Sequence, residues 1–106
     1  MGKNKAITEL GNILGNIIIH KILTKHTTKP ESLCHLRNEL IAYTDTALEE
    51  AREFNWNDSD VEEMRLEILA NFKRNIKRKY PEVKFTMEEV EKIIEEVIEE
   101  IIQPTI

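Results

Sequence analysis

The chain has 106 residues, of which 41% are hydrophobic and 33% are charged, with only three glycines and three prolines. This length suffices for one domain with its own hydrophobic core, and the composition excludes a disordered or low-complexity chain. The formal net charge of −5 is not that of a general nucleic-acid-binding protein. A single cysteine, Cys34, excludes an internal disulfide framework and favours a reducing compartment.

A first helix is predicted over residues 3–25, because apolar side chains beginning at Ala6 and Leu10 recur every three or four positions. From Ile18 to Leu23 the apolar side chains extend almost all round this helix. That end must therefore be covered from more than one direction, and a second subunit is one way to cover it. Gly11 and Gly15 are four positions apart, a spacing that lets another backbone approach closely.

The most apolar stretch, residues 6–23, does not have the pattern of a membrane-spanning helix. A bilayer-spanning helix requires an apolar run of roughly 18 residues or more. Here the run is interrupted by polar side chains, namely Glu9, Asn12, Asn16, His20 and Lys21. No small-residue cleavage site follows an apolar run, so the sequence predicts no signal peptide. We expect a cytoplasmic protein that does not contact the membrane.

The second and third helices are predicted over residues 30–54 and 58–79. Thr28 and Glu31 have capping-box spacing before the second helix, whose apolar face comprises Leu33, Leu36, Leu40, Tyr43, Ala47, Ala51 and Phe54, widened by Ile41 and Leu48. Asn57 is predicted to cap the third helix and Trp56 to pack on Val61; the apolar face comprises Val61, Met64, Ile68, Leu69, Phe72 and Ile76. The short turn between these helices predicts an antiparallel hairpin.

The fourth helix is predicted over residues 87–103, with Pro104 ending it. Thr86 and Glu89 have capping-box spacing, and Phe85 is placed to pack on Val90. An apolar seam alternates with glutamates and resembles that of a coiled coil. One interpretation is that this face packs in the core of the same chain and the glutamates face water. The alternative is a contact between subunits that also uses the apolar end of the first helix, and its candidate residues are Ile18, Ile19, Ile22, Leu23, Val90, Ile94, Val97 and Ile101.

A basic cluster lies on the side of the third helix opposite Phe72 and Ile76. It comprises Lys73, Arg74, Lys77 and Arg78, and is extended by Lys79 and Lys84. One interpretation is structural: cations are favoured at a helix C-terminus, and the glutamates of the fourth helix would neutralise them. The alternative is a surface that binds nucleic acid or an acidic partner. The cluster lacks interleaved aromatic residues and a base-reading motif, which favours the structural interpretation.

Two patterns bear on metal binding and catalysis. The possible soft ligands are His20, His26, Cys34 and His35, but they lack the two close pairs typical of structural zinc. The segment EEARE, with Glu49, Glu50 and Glu53, resembles the first carboxylate motif of all-α nucleotide pyrophosphohydrolases of the MazG type. That resemblance implies a magnesium site between helices, but the second Glu-x-x-Asp element of the family is missing. We therefore predict no catalytic residue, metal or cofactor.

These observations predict an all-α, four-helix bundle-like fold in a single domain, 1–106, packed in an oligomer. The expected function is that of a non-enzymatic, self-associating interaction or structural module, with itself or another protein as partner. A nucleic-acid-associated protein that uses the basic cluster is the alternative. A MazG-like pyrophosphohydrolase is the third hypothesis.

Overall fold

In the computed structural model, which describes residues 2–27 and 29–102, four α-helices follow one another along the chain. They are α1 (Lys3–His26), α2 (Pro30–Ala51), α3 (Asp58–Lys79) and α4 (Met87–Val97), and α4 continues into a π-helical turn, Ile98–Ile102. The described residues contain no β-strand. The predicted all-α, bundle-like fold is confirmed.

The first helix, α1, lies at the centre of the bundle. It packs on α2, α3 and α4, and most of its side chains from Ile7 to Ile22 that are apolar or small are buried. The apolar end of α1 is thus covered from several directions within a single chain. The predicted hairpin differs from the structure in one respect: α2 and α3 make almost no direct contact, because each packs on α1 instead.

The two glycines of α1 bring α3 unusually close. A Cβ atom added at Gly11 would lie 2.5 Å from the Cβ of Glu67, and one added at Gly15 would lie 2.9 Å from the Cβ of Asn71. Real Cβ atoms do not approach other heavy atoms so closely. The predicted role of the glycine pair in close packing is confirmed, with α3 as the neighbouring helix. The buried Asn71 amide is satisfied there, because its Nδ2 donates to Asn12 Oδ1 at 2.8 Å.

The second helix ends at Ala51, three residues before the predicted end. The Trp56 indole donates from Nε1 to the Ala51 carbonyl at 3.0 Å, which satisfies one of the free carbonyls at the helix end. Asn57 then caps α3 in a complete capping box with Asp60. At the other end of α2 the cap residue is Lys29, which makes no side-chain capping bond; Thr28, the predicted cap, lies outside the described residues.

The sequence predicted the buried face of α3 more accurately than that of α2. On α3 every predicted core residue is buried except Leu69, which is partly buried. On α2 only Ala47 and Ala51 are fully buried, and Ile41, predicted to widen the apolar face, is 61% exposed. Both helices pack mainly on α1, but α2 does so with fewer of its predicted apolar positions.

The last turn also departs from the predicted α-helix over 87–103. Hydrogen bonding becomes π-helical at Ile98, and this turn buries Ile98, Ile101 and Ile102 and contacts α2. Residues 103–106, including the predicted stop at Pro104, lie outside the described part of the chain.

Thr86 caps α4 as predicted, and its removal gives a measurable expectation. The Thr86 hydroxyl accepts a hydrogen bond from the backbone N–H of Glu89 at 3.1 Å. Losing such a cap costs about 1 kcal/mol, so Thr86→Ala should lower the free energy of unfolding by that amount and shift the urea midpoint to a lower concentration. Thr46→Ala is the matched control, because Thr46 is an exposed residue inside α2. An equal midpoint for the two variants would contradict the assigned cap.

Candidate interaction surface

The basic cluster forms an exposed surface on the C-terminal half of α3 and the loop after it, which we call the basic face. All its members, Lys73, Arg74, Lys77, Arg78, Lys79 and Lys84, are exposed, while Phe72 and Ile76 hold the opposite side of α3 in the core. No ion pair among the described residues includes any of these six cations. Their one side-chain hydrogen bond runs from Arg78 to Asn75.

The glutamates of α4 that form ion pairs use other partners. Glu95 accepts two hydrogen bonds from Arg65, from Nε at 2.7 Å and Nη2 at 2.8 Å. These bonds lower the pKa of Glu95 and raise that of Arg65. Glu89 pairs with Lys25 at 2.7 Å and faces His26 on α1. The predicted neutralisation of the basic cluster by α4 is therefore not seen within the described residues, because α4 directs these carboxylates to α1 and to the N-terminal half of α3.

The Lys25–Glu89 contact predicts a dependence of stability on pH. The hydrogen bond from Lys25 lowers the pKa of Glu89 below its ordinary value of 4.5. A lowered pKa in the folded state means that the contact stabilises the fold above about pH 4.5, and that this contribution is lost as the pH falls through the lowered pKa.

Glu89→Gln should therefore reduce the difference between the urea midpoints measured at pH 7 and pH 3. At pH 7 the free energy of unfolding should fall only slightly, by at most about 1 kcal/mol, because the pair is close to solvent. Glu88→Gln removes a carboxylate from the same first turn of α4 and is the matched control. Equal acid dependence of the two variants would contradict a stabilising Lys25–Glu89 contact.

A shallow groove runs between α3 and α4 and meets the basic face. One cavity of about 350 Å³ is bordered by Leu66 and Leu69 of α3 and by Ile94 of α4. A second, of about 450 Å³, is bordered by Ile76, Lys73 and Lys77 together with Met87 and the loop before α4. Leu66 is 69% exposed and Met87 is 39% exposed. The apolar pattern of the sequence did not predict this groove, although Leu66 is a large apolar residue outside the predicted core face of α3.

The residues predicted to mediate self-association lie inside the single chain. Seven of the eight are buried, namely Ile18, Ile19, Ile22, Val90, Ile94, Val97 and Ile101, and Leu23 is partly buried against them. The structure brings the two predicted groups together, because the end of α1 packs against α4. Intrachain packing thus explains the apolar pattern without a second subunit.

The histidines and the cysteine take separate environments. His20 is buried beside Tyr43, with Nδ1 2.8 Å from the Asn16 carbonyl oxygen and Nε2 3.4 Å from Glu39. The other carboxylate oxygen of Glu39 lies 2.6 Å from His35. Cys34 is exposed. Across residues 2–27 and 29–102, no group of three or more His, Cys, Asp or Glu side chains is arranged to hold a metal ion.

The three carboxylates of EEARE do not share one helical face. Glu49 and Glu50 lie on α2, whereas Glu53 follows the end of the helix at Ala51. Partial burial raises the pKa of Glu50, and the nearby negative charges of Glu9 and Glu53 raise it further. The second element that the MazG resemblance implies, a Glu-x-x-Asp further along the chain, does not occur in the sequence.

Comparison with known proteins found no match: no protein-family model, curated protein or solved structure is significantly similar to this chain. None of the described helices is long and apolar enough to cross a bilayer.

Proposed function

We propose that the protein is a non-enzymatic helical interaction module that binds an anionic macromolecule through its basic face. The observation that carries this proposal is that six exposed cations lie together on one face, with no ion pair to any of them among the described residues. Lys25 and Arg65 pair across helices with Glu89 and Glu95. Single cations elsewhere, such as Lys5 and Lys29, also have no ion pair among the described residues, so it is the clustering that distinguishes the basic face.

The helix dipole favours Lys77, Arg78 and Lys79 in the last turn of α3. The dipole does not explain Lys73, Arg74 and Lys84 outside that turn, and like charges so close together repel one another, which supports a binding role for the basic face.

The net charge of −5 makes the position of the basic residues informative. Six of the 15 basic residues lie on the basic face, and seven glutamates belong to α4 and the π-helical turn. Positive charge is therefore concentrated on α3 although the net charge is negative, and such a cluster attracts an anionic partner toward α3 as it approaches. A cytoplasmic location belongs to the same proposal and is supported by the single exposed cysteine.

Retention on immobilised heparin tests the proposal, because a polyanion binds an acidic protein only where cations are clustered. We expect the wild type to be retained at low salt and to elute as the salt concentration rises, since salt screens the contacts. Lys73→Glu combined with Lys77→Glu should abolish retention.

The matched control is Lys5→Glu combined with Lys29→Glu, which changes the net charge equally at two exposed positions outside the basic face. This variant should keep most of the retention. Passage of the wild type through the column, or equal losses in the two variants, would refute the proposed function.

A further inference from the structure

We infer that the groove between α3 and α4 binds an acidic amphipathic helix of a partner protein, with its apolar side chains on Leu66 and Leu69 and its carboxylates on Lys73 and Lys77. This inference rests on the proposed function and specifies the partner of the basic face.

The groove consists of two clefts that follow one another along α3 and share no lining residue. Leu66, Leu69 and Lys73 follow one another at steps of three and four residues, so they lie along one side of the helix, and Ile76 borders that side from the core. Leu66 and Leu69 border the cleft against α4, and Lys73 and Ile76 border the cleft against the loop before α4. From Leu66 to Ile76 the groove extends about 15 Å at 1.5 Å per residue, which matches nearly three turns of a partner helix.

The walls of the groove select a helix as the occupant. At the Leu66 end both walls are helices whose backbone groups are already hydrogen-bonded within the helix, and at the Lys73 end one wall is α3 and the other is a loop without β-structure, so neither end offers a strand edge to an extended peptide. A helix also satisfies its own backbone and can present apolar side chains every three or four residues. Those side chains would cover Leu66 and Met87, which are 69% and 39% exposed.

The charges at the two ends of the groove favour an acidic helix and determine which of its ends lies at Lys73. Arg65, at the Leu66 end, is already engaged by Glu62 and Glu95. Lys73 and Lys77, at the other end, have no ion pair among the described residues. The carboxylates of the partner therefore belong at the Lys73 end, where one apolar side chain also contacts Met87, and its other apolar residues belong at the Leu66 end.

A nucleic acid fits the same groove less well. Phosphates would meet the lysines, but a sugar-phosphate backbone brings no aliphatic side chains to cover Leu66. The carboxylates of Glu62, Glu91 and Glu95 border the Leu66 end and would repel phosphates. Apolar exposure beside unpaired cations thus favours a protein helix.

Fluorescence anisotropy with a labelled 14-residue synthetic peptide tests this inference. The peptide carries leucines at every third or fourth position on one face, glutamates toward one end and alanines elsewhere. A second peptide has the same composition with the leucines distributed round the helix, and a third probe is a 20-base-pair DNA duplex. We expect the amphipathic peptide to bind at least tenfold more tightly than the other peptide.

Two variants locate the binding. Leu66→Ser combined with Met87→Ser should weaken peptide binding at least fivefold, and Lys73→Glu combined with Lys77→Glu should weaken it similarly. Ile41→Ser is the control for an exposed apolar residue outside the groove and should leave binding unchanged. Far-UV circular dichroism checks that each variant is folded.

The outcomes separate the groove from the basic face. Equal binding of both peptides, or no effect of the Leu66 and Met87 changes, overturns the groove and leaves the basic face supported if heparin retention holds. Tight binding of the duplex alone also overturns the groove and identifies nucleic acid as the partner. In that case the slope of log affinity against log salt concentration should be near −4 for about four phosphate contacts, at about 0.9 per contact. Absence of peptide, DNA and heparin binding overturns both proposals.

Discussion

Ile18→Asp is expected to abolish the folded state of the protein. Ile18 is completely buried in α1, the helix on which α2, α3 and α4 all pack. A buried carboxylate without a partner costs several kcal/mol, which is comparable with the 5–15 kcal/mol that usually separates folded from unfolded domains. We expect the loss of the helical circular-dichroism signal or of a cooperative thermal transition.

The same variant distinguishes packing within the chain from packing between subunits. If Ile18 lay at an interface between folded subunits, Ile18→Asp would give a folded species of lower mass by light scattering. The matched control is Ile41→Asp on α2, where the side chain is 61% exposed and the expected change is within about 0.5 kcal/mol. A folded, smaller species from Ile18→Asp would restore the predicted self-association surface.

Replacing Gly11 and Gly15 together by alanine is expected to destabilise the protein by up to about 4 kcal/mol, the cost of overpacking at two sites less the gain in helix propensity. Helix propensity alone predicts the opposite sign, because each replacement of glycine by alanine inside a helix contributes about 1 kcal/mol of stability. The new methyl groups, however, would meet Glu67 and Asn71 at 2.5 Å and 2.9 Å from their Cβ atoms. Overpacking of this kind costs about 1–3 kcal/mol for each site.

Chemical denaturation of the single and double variants measures this effect. Thr8→Ala is the control, because Thr8 is exposed on α1 and alanine there should leave stability unchanged or slightly raised. In an Asn71→Gly background Gly15→Ala should cost less, since the side chain that it meets is gone. Stabilisation by Gly11→Ala would mean that α1 and α3 are farther apart than the structure places them.

Local signals in the sequence predicted the helices well because they act within a few residues. The caps at Asn57 and Thr86 and the core face of α3 depend on hydrogen bonds and spacings inside one segment. The end of α2 was placed three residues late, because it depends on the Trp56 indole folding back onto Ala51. A side-chain contact across a turn leaves no periodic signal in a sequence.

The candidate site was predictable only in part, for a related reason. The spacing of Lys73, Arg74, Lys77 and Arg78 places them on one outward side of α3, as the structure shows. Whether glutamates of α4 neutralise them depends on how the two helices are aligned, and that alignment is set by contacts such as Arg65–Glu95 between distant parts of the chain. The groove was missed because it requires both helices at once. Likewise, apolar side chains all round α1 predict that this helix is buried on every side. They do not specify whether the neighbouring helices belong to the same chain or to another subunit.

The central position of α1 has a consequence for how the protein folds. The helix that supplies the largest part of the core precedes every element that covers it, and α4 lies more than 60 residues further along the chain. During synthesis α2 and α3 can cover part of α1, but the isoleucines of α1 are not fully covered until α4 has emerged, a period in which exposed apolar surface favours aggregation or chaperone binding. Contacts so distant in sequence also slow the search for the native arrangement. Once formed, the bundle has no peripheral pair of helices that is stable apart from α1, so we expect it to unfold as one cooperative unit.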